Sequence, residues 1–213
     1  MEAFDADGGG QEGSRGLRAQ FGGSDLTGGL HRYLRFERAC SAPSNALVAY
    51  ARGLKQTHCE VPLHGEGKSG SKELVLPDGK KISVKKEIFF NVGESMFDPL
   101  PGADRKAVRY TLPGLVGMAV NKASPEVAGN IVVTGGASMM KNFPERFESE
   151  LATRLPSEDF KGLVLSEARQ IGVWKGACIL ASTTTGGDGW LKRYKYQEEG
   201  PSAIHRAGLG ELV

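Results

Sequence analysis

Two adjacent glycines that close a β-branched run are the part of this sequence best suited to chemistry. Asn130-Ile131-Val132-Val133-Thr134 leads into Gly135-Gly136-Ala137-Ser138. Residues without a Cβ let the backbone come close to a flat or anionic ligand. The same pair serves equally well as a tight strand-to-helix turn. Other reactive-looking groups carry less. Gly67-Lys68-Ser69 has the ending of a P-loop, but that motif needs a glycine where Pro62 stands, and it follows a buried strand rather than preceding a hairpin. His58, Cys59 and His64 are metal-ligand types, yet a zinc site needs about four ligands and no second cluster exists. The four histidines lie in unrelated contexts and give no triad pattern.

The elements that must position the glycine loop can be read from periodicity. Ser24 and Asp25 offer N-caps for a helix running through Cys40, with Leu26, Leu30, Tyr33 and Leu34 on one face. A second helix is expected over Asn45 to Gln56, with Leu47, Tyr50, Ala51 and Leu54 together. Leu74 and Leu76, the turn Pro77-Asp78-Gly79-Lys80, then Ile82 and Val84 predict a β-hairpin. Ile88 to Val92 reads as a short strand, and Pro99, Pro101 and Gly102 as a loop. Leu112 to Lys122 has helical character despite Pro113 and two glycines. Ile131 to Val133 and Leu163 to Leu165 read as buried strands, and Pro144 to Leu155 as an amphipathic helix. Ile171 to Ser182 reads as an apolar helix with Trp174, Ala177, Cys178 and Ala181 inward. From Gln197 onward the chain is loop-like. Strands that end in glycine loops and feed helices indicate an α/β fold, whose ligands sit at the carboxyl ends of the strands.

Composition sets the limits. The chain has 213 residues, 39% hydrophobic and 24% charged, which excludes a disordered chain or a coiled coil. Glycine, 30 of 213, is about twice its usual share of about 7%. A net charge of +2 gives no argument for direct nucleic-acid or membrane binding. Three scattered cysteines suit a reducing compartment. Residues 1–16 read as a flexible Gly-rich tail.

The glycine loop, read as Thr134-Gly135-Gly136-Ala137-Ser138-Met139, resembles the adenosine-binding loop of actin and actin-related proteins. Asp25-Leu26-Thr27, Leu76-Pro77-Asp78-Gly79 with Ile82, Glu94 to Pro99, and Val173-Trp174 with Gly176 and Ile179-Leu180-Ala181-Ser182 resemble further motifs of that family. So do Trp190, Lys192, Tyr196, Glu198-Glu199-Gly200-Pro201-Ser202 and His205-Arg206. They fall in family order, from about Leu17 to Arg206. The resemblance implies a partial actin-like ATPase fold of the ribonuclease H-like kind over 17–213. Within it, 23–108 would be an outer subdomain, 109–171 the remnant of an inner one, and 172–206 the C-terminal piece of the small lobe. Only the second half of the family pattern is matched. Asp5-Ala6-Asp7-Gly8-Gly9 echoes a phosphate loop at the wrong spacing. An inner sheet of two strands would leave edges and an apolar face bare, and Trp174 and Ile179 would face a lobe that this sequence lacks.

The resemblance also implies site residues. Arg52 and Lys55 match the nucleoside-side Arg and Lys, and Gln56 replaces a ribose-binding Glu. Gly135, Gly136, Ala137, Ser138 and Met139 match the loop beneath the adenosine. Met140 replaces a Tyr, and Gln170 replaces a Lys beside the base. Arg52, Lys55 and Gln56, at i, i+3 and i+4, share one helical face. The expected cofactor is ATP or ADP, held weakly or vestigially, with Mg only if a complete N-terminal lobe exists. The expected role is that of a non-enzymatic, cytoskeletal structural protein of the cytoplasm, with protein partners such as actin, actin-related chains or complex subunits. The alternative is a nuclear actin-related subunit of a chromatin-remodelling or histone-acetyltransferase complex. An actin-type ATPase is a third reading, should the N-terminal lobe prove to be missing only from this sequence.

Overall fold

The computed structural model describes residues 21–63, 69–98, 111–122, 129–156, 160–184 and 190–203. The expected N-terminal tail, the Asp5 echo, His64, Gly67 and Lys68, the Pro99 loop and His205-Arg206 lie outside the described residues. The fold is mixed α/β, with small two-stranded sheets among helices.

Helix α1 (Gly23–Arg32) starts one residue before Ser24. Gly22 is its N-cap, and Asp25 accepts a hydrogen bond from the Gly22 N–H at 2.8 Å. Asp25 thus caps from inside the first turn, a task that no side chain at Gly22 can perform. The helix does not run regularly to Cys40. It passes into a π-helical turn, Tyr33–Glu37. Two 2.7 Å hydrogen bonds from the Arg35 guanidinium, to the Cys40 and Ala42 carbonyls, close the bend that follows. Leu26, Leu30, Tyr33 and Leu34 are buried as their spacing predicts. Helix α2 (Ser44–His58) packs Leu47, Ala51 and Leu54 against them and extends two residues beyond the expected end.

The hairpin is present. Strands β1 (Ser71–Val75) and β2 (Lys81–Lys85) pair antiparallel, with Leu74 opposite Ile82. Gly79 turns with φ +85°, and Asp78 accepts from the Ser41 N–H at 2.8 Å, pinning the turn to the α1–α2 connection. Residues 88–92 are helical rather than extended, within α3 (Lys86–Glu94). The aromatic run that suggested a strand is the buried face of this helix. Phe89 and Val92 lie three apart, as do Phe90 and Gly93, and all four are buried.

Helix α4 (Leu112–Lys122) has the predicted span. Strand β3 (Ile131–Val133), helix α5 (Phe143–Ala152) and strand β4 (Leu163–Leu165) follow, with β3 and β4 parallel and Val132 beside Val164. One face of the pair reaches the core through Ile131, Val133 and Leu163. Against expectation the strands are not buried on both faces, since Val132 is 64% exposed. Phe97, Phe143 and Phe147 form an aromatic cluster with ring centroids 5.3–6.3 Å apart. The guanidinium of Arg146 lies over the Phe97 ring, donates to Glu94, Glu150 and the Pro62 carbonyl, and joins α5 to α3.

Helix α6 (Gly172–Thr183) forms where expected, but Trp174, Ala177, Cys178 and Ala181 do not point inward. No residue of this helix is buried, and Trp174 is 66% exposed. An apolar sequence specifies burial without specifying against what, and the described residues supply no covering surface. Helix α7 (Arg193–Glu199) reaches past Gln197, where loop was expected.

Candidate functional site

Two walls contain the predicted site residues. The first is the face of α2. Arg52 and Gln56 are exposed, while Lys55 is partly covered and donates from Nζ to the Gly23 carbonyl at 2.6 Å. This bond crosses from α2 to the start of α1. Between the helices lies a groove of about 340 Å³, lined in part by Gly23, Thr27, Gly28, His31, Arg52 and Lys55. Burial, then the neighbouring Arg52 charge, pushes the Lys55 amine below its ordinary value, against a smaller opposing pull from Cys59. The Cys59 thiol itself is pushed up to about 12, first by burial, and is therefore inert at neutral pH.

The second wall is the loop after β3. Gly135 has φ +108° and ψ 152°, a backbone state that a side chain rarely permits. Its identity is explained by the turn. Gly136 is different: it opens the 3₁₀ turn Gly136–Met139 without a positive φ, and a Cβ there would meet nothing within 4 Å. Neither conformation nor internal packing requires that glycine. Ser138 is buried and its hydroxyl donates to the Gly135 carbonyl at 2.7 Å, bracing the loop from within. Ala137 packs partly on the core, and Met139 is exposed.

Arg169, which sequence reasoning did not single out, clasps this loop. Its Nη2 and Nε donate to the Ser138 carbonyl at 2.9 and 3.2 Å. Its own carbonyl accepts from the Gly135 N–H at 2.8 Å and from the Thr134 hydroxyl at 2.7 Å. Gly172 fits closely beneath Thr134, for a Cβ there would stand 2.5 Å from Oγ1. Gln170 lies between these anchors in the turn Arg169–Ile171, with its side chain exposed. The loop and Gln170 are therefore brought together. The only sequence signal for the clasp is an arginine one residue before a candidate site position, which does not reveal which carbonyls it reaches. His31 in the groove was likewise missed, because a single histidine on a helix gives no signal.

The two walls meet end to end. Glu60 forms an isolated parallel bridge with Lys141, the Val61 N–H donates to the Lys141 carbonyl at 3.0 Å, and Lys141 Nζ lies 2.6 Å from Glu60. Asn142, at φ 64°, donates from Nδ2 to the Val61 carbonyl. The chain leaving α2 is thereby fixed beside the chain leaving the 135–139 loop. Among the described residues, no hydrogen bond links Arg52, Lys55 or Gln56 to that loop; the connection runs through the backbone beyond them.

The walls present groups of the kinds an adenosine would need. Gly136 offers open backbone, Met139 an exposed apolar surface, Gln170 an amide, and Arg52 and Lys55 cations. Among the described residues, no three of His, Cys, Asp or Glu gather as metal ligands would, and no helix is long and apolar enough to cross a membrane.

The chain is 34% identical over 142 residues to "Actin-related protein 4" of Gibberella zeae, which covers 62% of this chain and 30% of that protein. It is 33% identical to "Actin-like protein 9" of Bos taurus over 62% of this chain and 32% of the relative. It is 30% identical to "Actin-like protein 7B" of Macaca fascicularis over 88% of this chain and 46% of the relative. The chain thus spans less than half the length of these curated relatives. The actin family profile matches residues 18–208, and the chain belongs to the actin family.

Proposed function

We propose that this chain is a non-catalytic actin-related subunit that works through protein partners in a nuclear complex of the chromatin-remodelling or histone-acetyltransferase kind. It keeps the adenosine side of an actin-type nucleotide site. The observation that carries the reading is the bare α6, a twelve-residue helix without one buried side chain, in a chain whose other apolar helices are packed. A contiguous apolar surface of this sort marks a protein contact. The similarity to a protein called "Actin-related protein 4" favours the nuclear alternative over cytoskeletal use. So does the altered site, where Gln56, Met140 and Gln170 replace the residues that the family resemblance calls for.

Nucleotide binds in this reading through the base wall: Arg52, Lys55, Gln56, Gly135, Gly136, Ala137, Ser138, Met139 and Gln170. ATP and ADP gain little over adenosine. Stacking and a few hydrogen bonds, each contributing about 0.5–1.5 kcal/mol net, give binding in about the millimolar range. The test is sedimentation of the full chain in polymerising salt with ATP, inspection of the pellet by electron microscopy, and a phosphate-release assay alongside. Neither regular two-stranded filaments nor phosphate release is expected. Ordered filaments would restore the cytoskeletal reading, and magnesium-dependent phosphate release would restore the enzymatic one.

A further inference from the structure

We infer that strand β2 is an open docking edge, on which an extended acidic segment of a partner polypeptide adds as a third strand. The inference uses no residue of α6 or of the two walls and goes beyond the reading above. Register decides which groups face out. The Leu76 N–H donates to the Lys80 carbonyl, and the Lys86 N–H to the Gly70 carbonyl, both across the hairpin. In an antiparallel pair, residues that bond across alternate with residues that do not. Ile82 and Val84 therefore bond to β1, while Lys81, Ser83 and Lys85 turn their backbone N–H and C=O groups to the other side. Among the described residues this sheet has no third strand, and all three residues are exposed. Their side chains share the face opposite buried Ile82 and Val84. Lys81, Lys85 and the adjoining Lys86 enter no ion pair among the described residues, and Glu73, on the same face of β1, bridges none of them.

Backbone and charge together select one occupant. An edge of alternating donors and acceptors is matched by another polypeptide backbone, which offers both. A nucleic-acid phosphate backbone offers acceptors only, and none of these edge residues is an aromatic on which a base would stack. A second copy of the strand is disfavoured, because antiparallel pairing about Ser83 sets Lys81 of one chain against Lys85 of the other. Edge lysines discourage self-pairing of this kind. Acidic residues turn the same charges into an attraction. In antiparallel addition the partner residues opposite Lys81 and Lys85 lie four apart and share the outer face. The recognised pattern is therefore two acidic residues four apart in an extended segment.

The experiment follows the fluorescence anisotropy of a labelled peptide containing Glu-Val-Thr-Val-Glu as the full chain is added, with thermal melts as the control of folding. Comparison probes are the same peptide with Gln for Glu, the peptide N-methylated at its Glu and Thr residues, and an oligothymidylate. The Glu peptide is expected to bind about fivefold tighter than the Gln peptide. Its affinity should fall several-fold as salt rises from about 50 to about 300 mM. N-methylation should abolish binding, because it removes the bonds to the edge. Lys81→Glu combined with Lys85→Glu should weaken the Glu peptide about tenfold or more, with the melt unchanged. Ser83→Pro, which removes an outward N–H but no bond to β1, should weaken it as well. Should Ser83→Pro not fold, the N-methylated peptide tests the same bonds from the partner's side. Equal binding of the Glu and Gln peptides, or binding that survives N-methylation, overturns the inference. So does a Glu peptide that does not bind the folded protein, in which case the lysines only keep the edge from self-pairing. Oligothymidylate bound more tightly than the Glu peptide, and lost in the lysine variant, overturns it in favour of nucleic acid.

Discussion

Arg146 is the most heavily used side chain in the described core. It is 8% exposed, pairs with Glu94 at 3.0 Å and with Glu150 at 2.9 Å, and covers the Phe97 ring. Burial pushes the Glu150 carboxyl up, but hydrogen bonds from Arg154 and Arg146 outweigh it and hold it below its ordinary value of 4.5. Its contribution to stability is therefore full above about pH 4.5 and is lost as the pH falls through the lowered folded-state value. Arg146→Met should cost about 3 kcal/mol at pH 7, because it takes the cation from the partly buried Glu94 and the donor from the Pro62 carbonyl, and leaves Glu150 with Arg154 alone. The share of the deficit that comes from Glu150 should shrink as the pH falls below about 4.5 towards 3. Urea denaturation at the two pH values measures this, and an equal deficit at both would show that lost packing on Phe97, rather than charge, is what Arg146 contributes. Nothing in the sequence marked this residue, since an arginine on the polar side of an amphipathic pattern looks like any solvated one. Its partners come from residues 52 positions away in α3 and 84 positions away at Pro62.

At the scale of elements, regular periodicity was legible and its interruptions were not. The hairpin, α2 and α5 follow from alternation or 3.6-residue spacing together with turn residues at the ends. Misreading α3 as a strand came from weighing its aromatic and β-branched content above its i, i+3 spacing. The π turn at Tyr33–Glu37 has no sequence signal, because it depends on carbonyls that Arg35 reaches only after the chain has bent. The candidate site was legible as a loop type and a helix face, whereas its Arg169 clasp needed the fold. Glycines show the same boundary. In α3, a Cβ at Gly93 would stand 2.3 Å from the Glu60 carbonyl oxygen, while a Cβ at Gly53 in α2 would meet nothing within 4 Å. Both are helical glycines and sequence treats them alike. Gly53→Ala should stabilise by about 0.5–1 kcal/mol through helix propensity. Gly93→Ala should destabilise by about 1–3 kcal/mol, because α3 must lift off the 60–61 backbone. Paired chemical denaturation curves check the two signs, and a neutral Gly93→Ala would mean that α3 can retreat freely.

For the whole molecule, the uneven distribution of apolar surface is decisive. One core joins α1, α2, the hairpin, α3 and α5, whereas Val173, Trp174, Ile179 and Leu180 on α6 are each more than half exposed, from 52% to 70%. The chain by itself should therefore aggregate and melt below about 60 °C, within the mesophile range. Trp174→Gln combined with Ile179→Gln should reduce light scattering on heating without lowering the melting temperature. A fall of many degrees would show that these side chains are packed in solution after all. The Glu60–Lys141 bridge has a kinetic consequence. It joins positions 81 apart in sequence, whereas the α1–α2 pair and the hairpin close over much shorter spans. Search through chain conformations lengthens as the contacts to be found become more distant in sequence. The two walls of the candidate site therefore come into register late in folding, and during synthesis the α2 wall must wait for the second wall to be made. A chaperone that holds the nascent chain through that interval would govern the yield of fully folded protein without touching either wall.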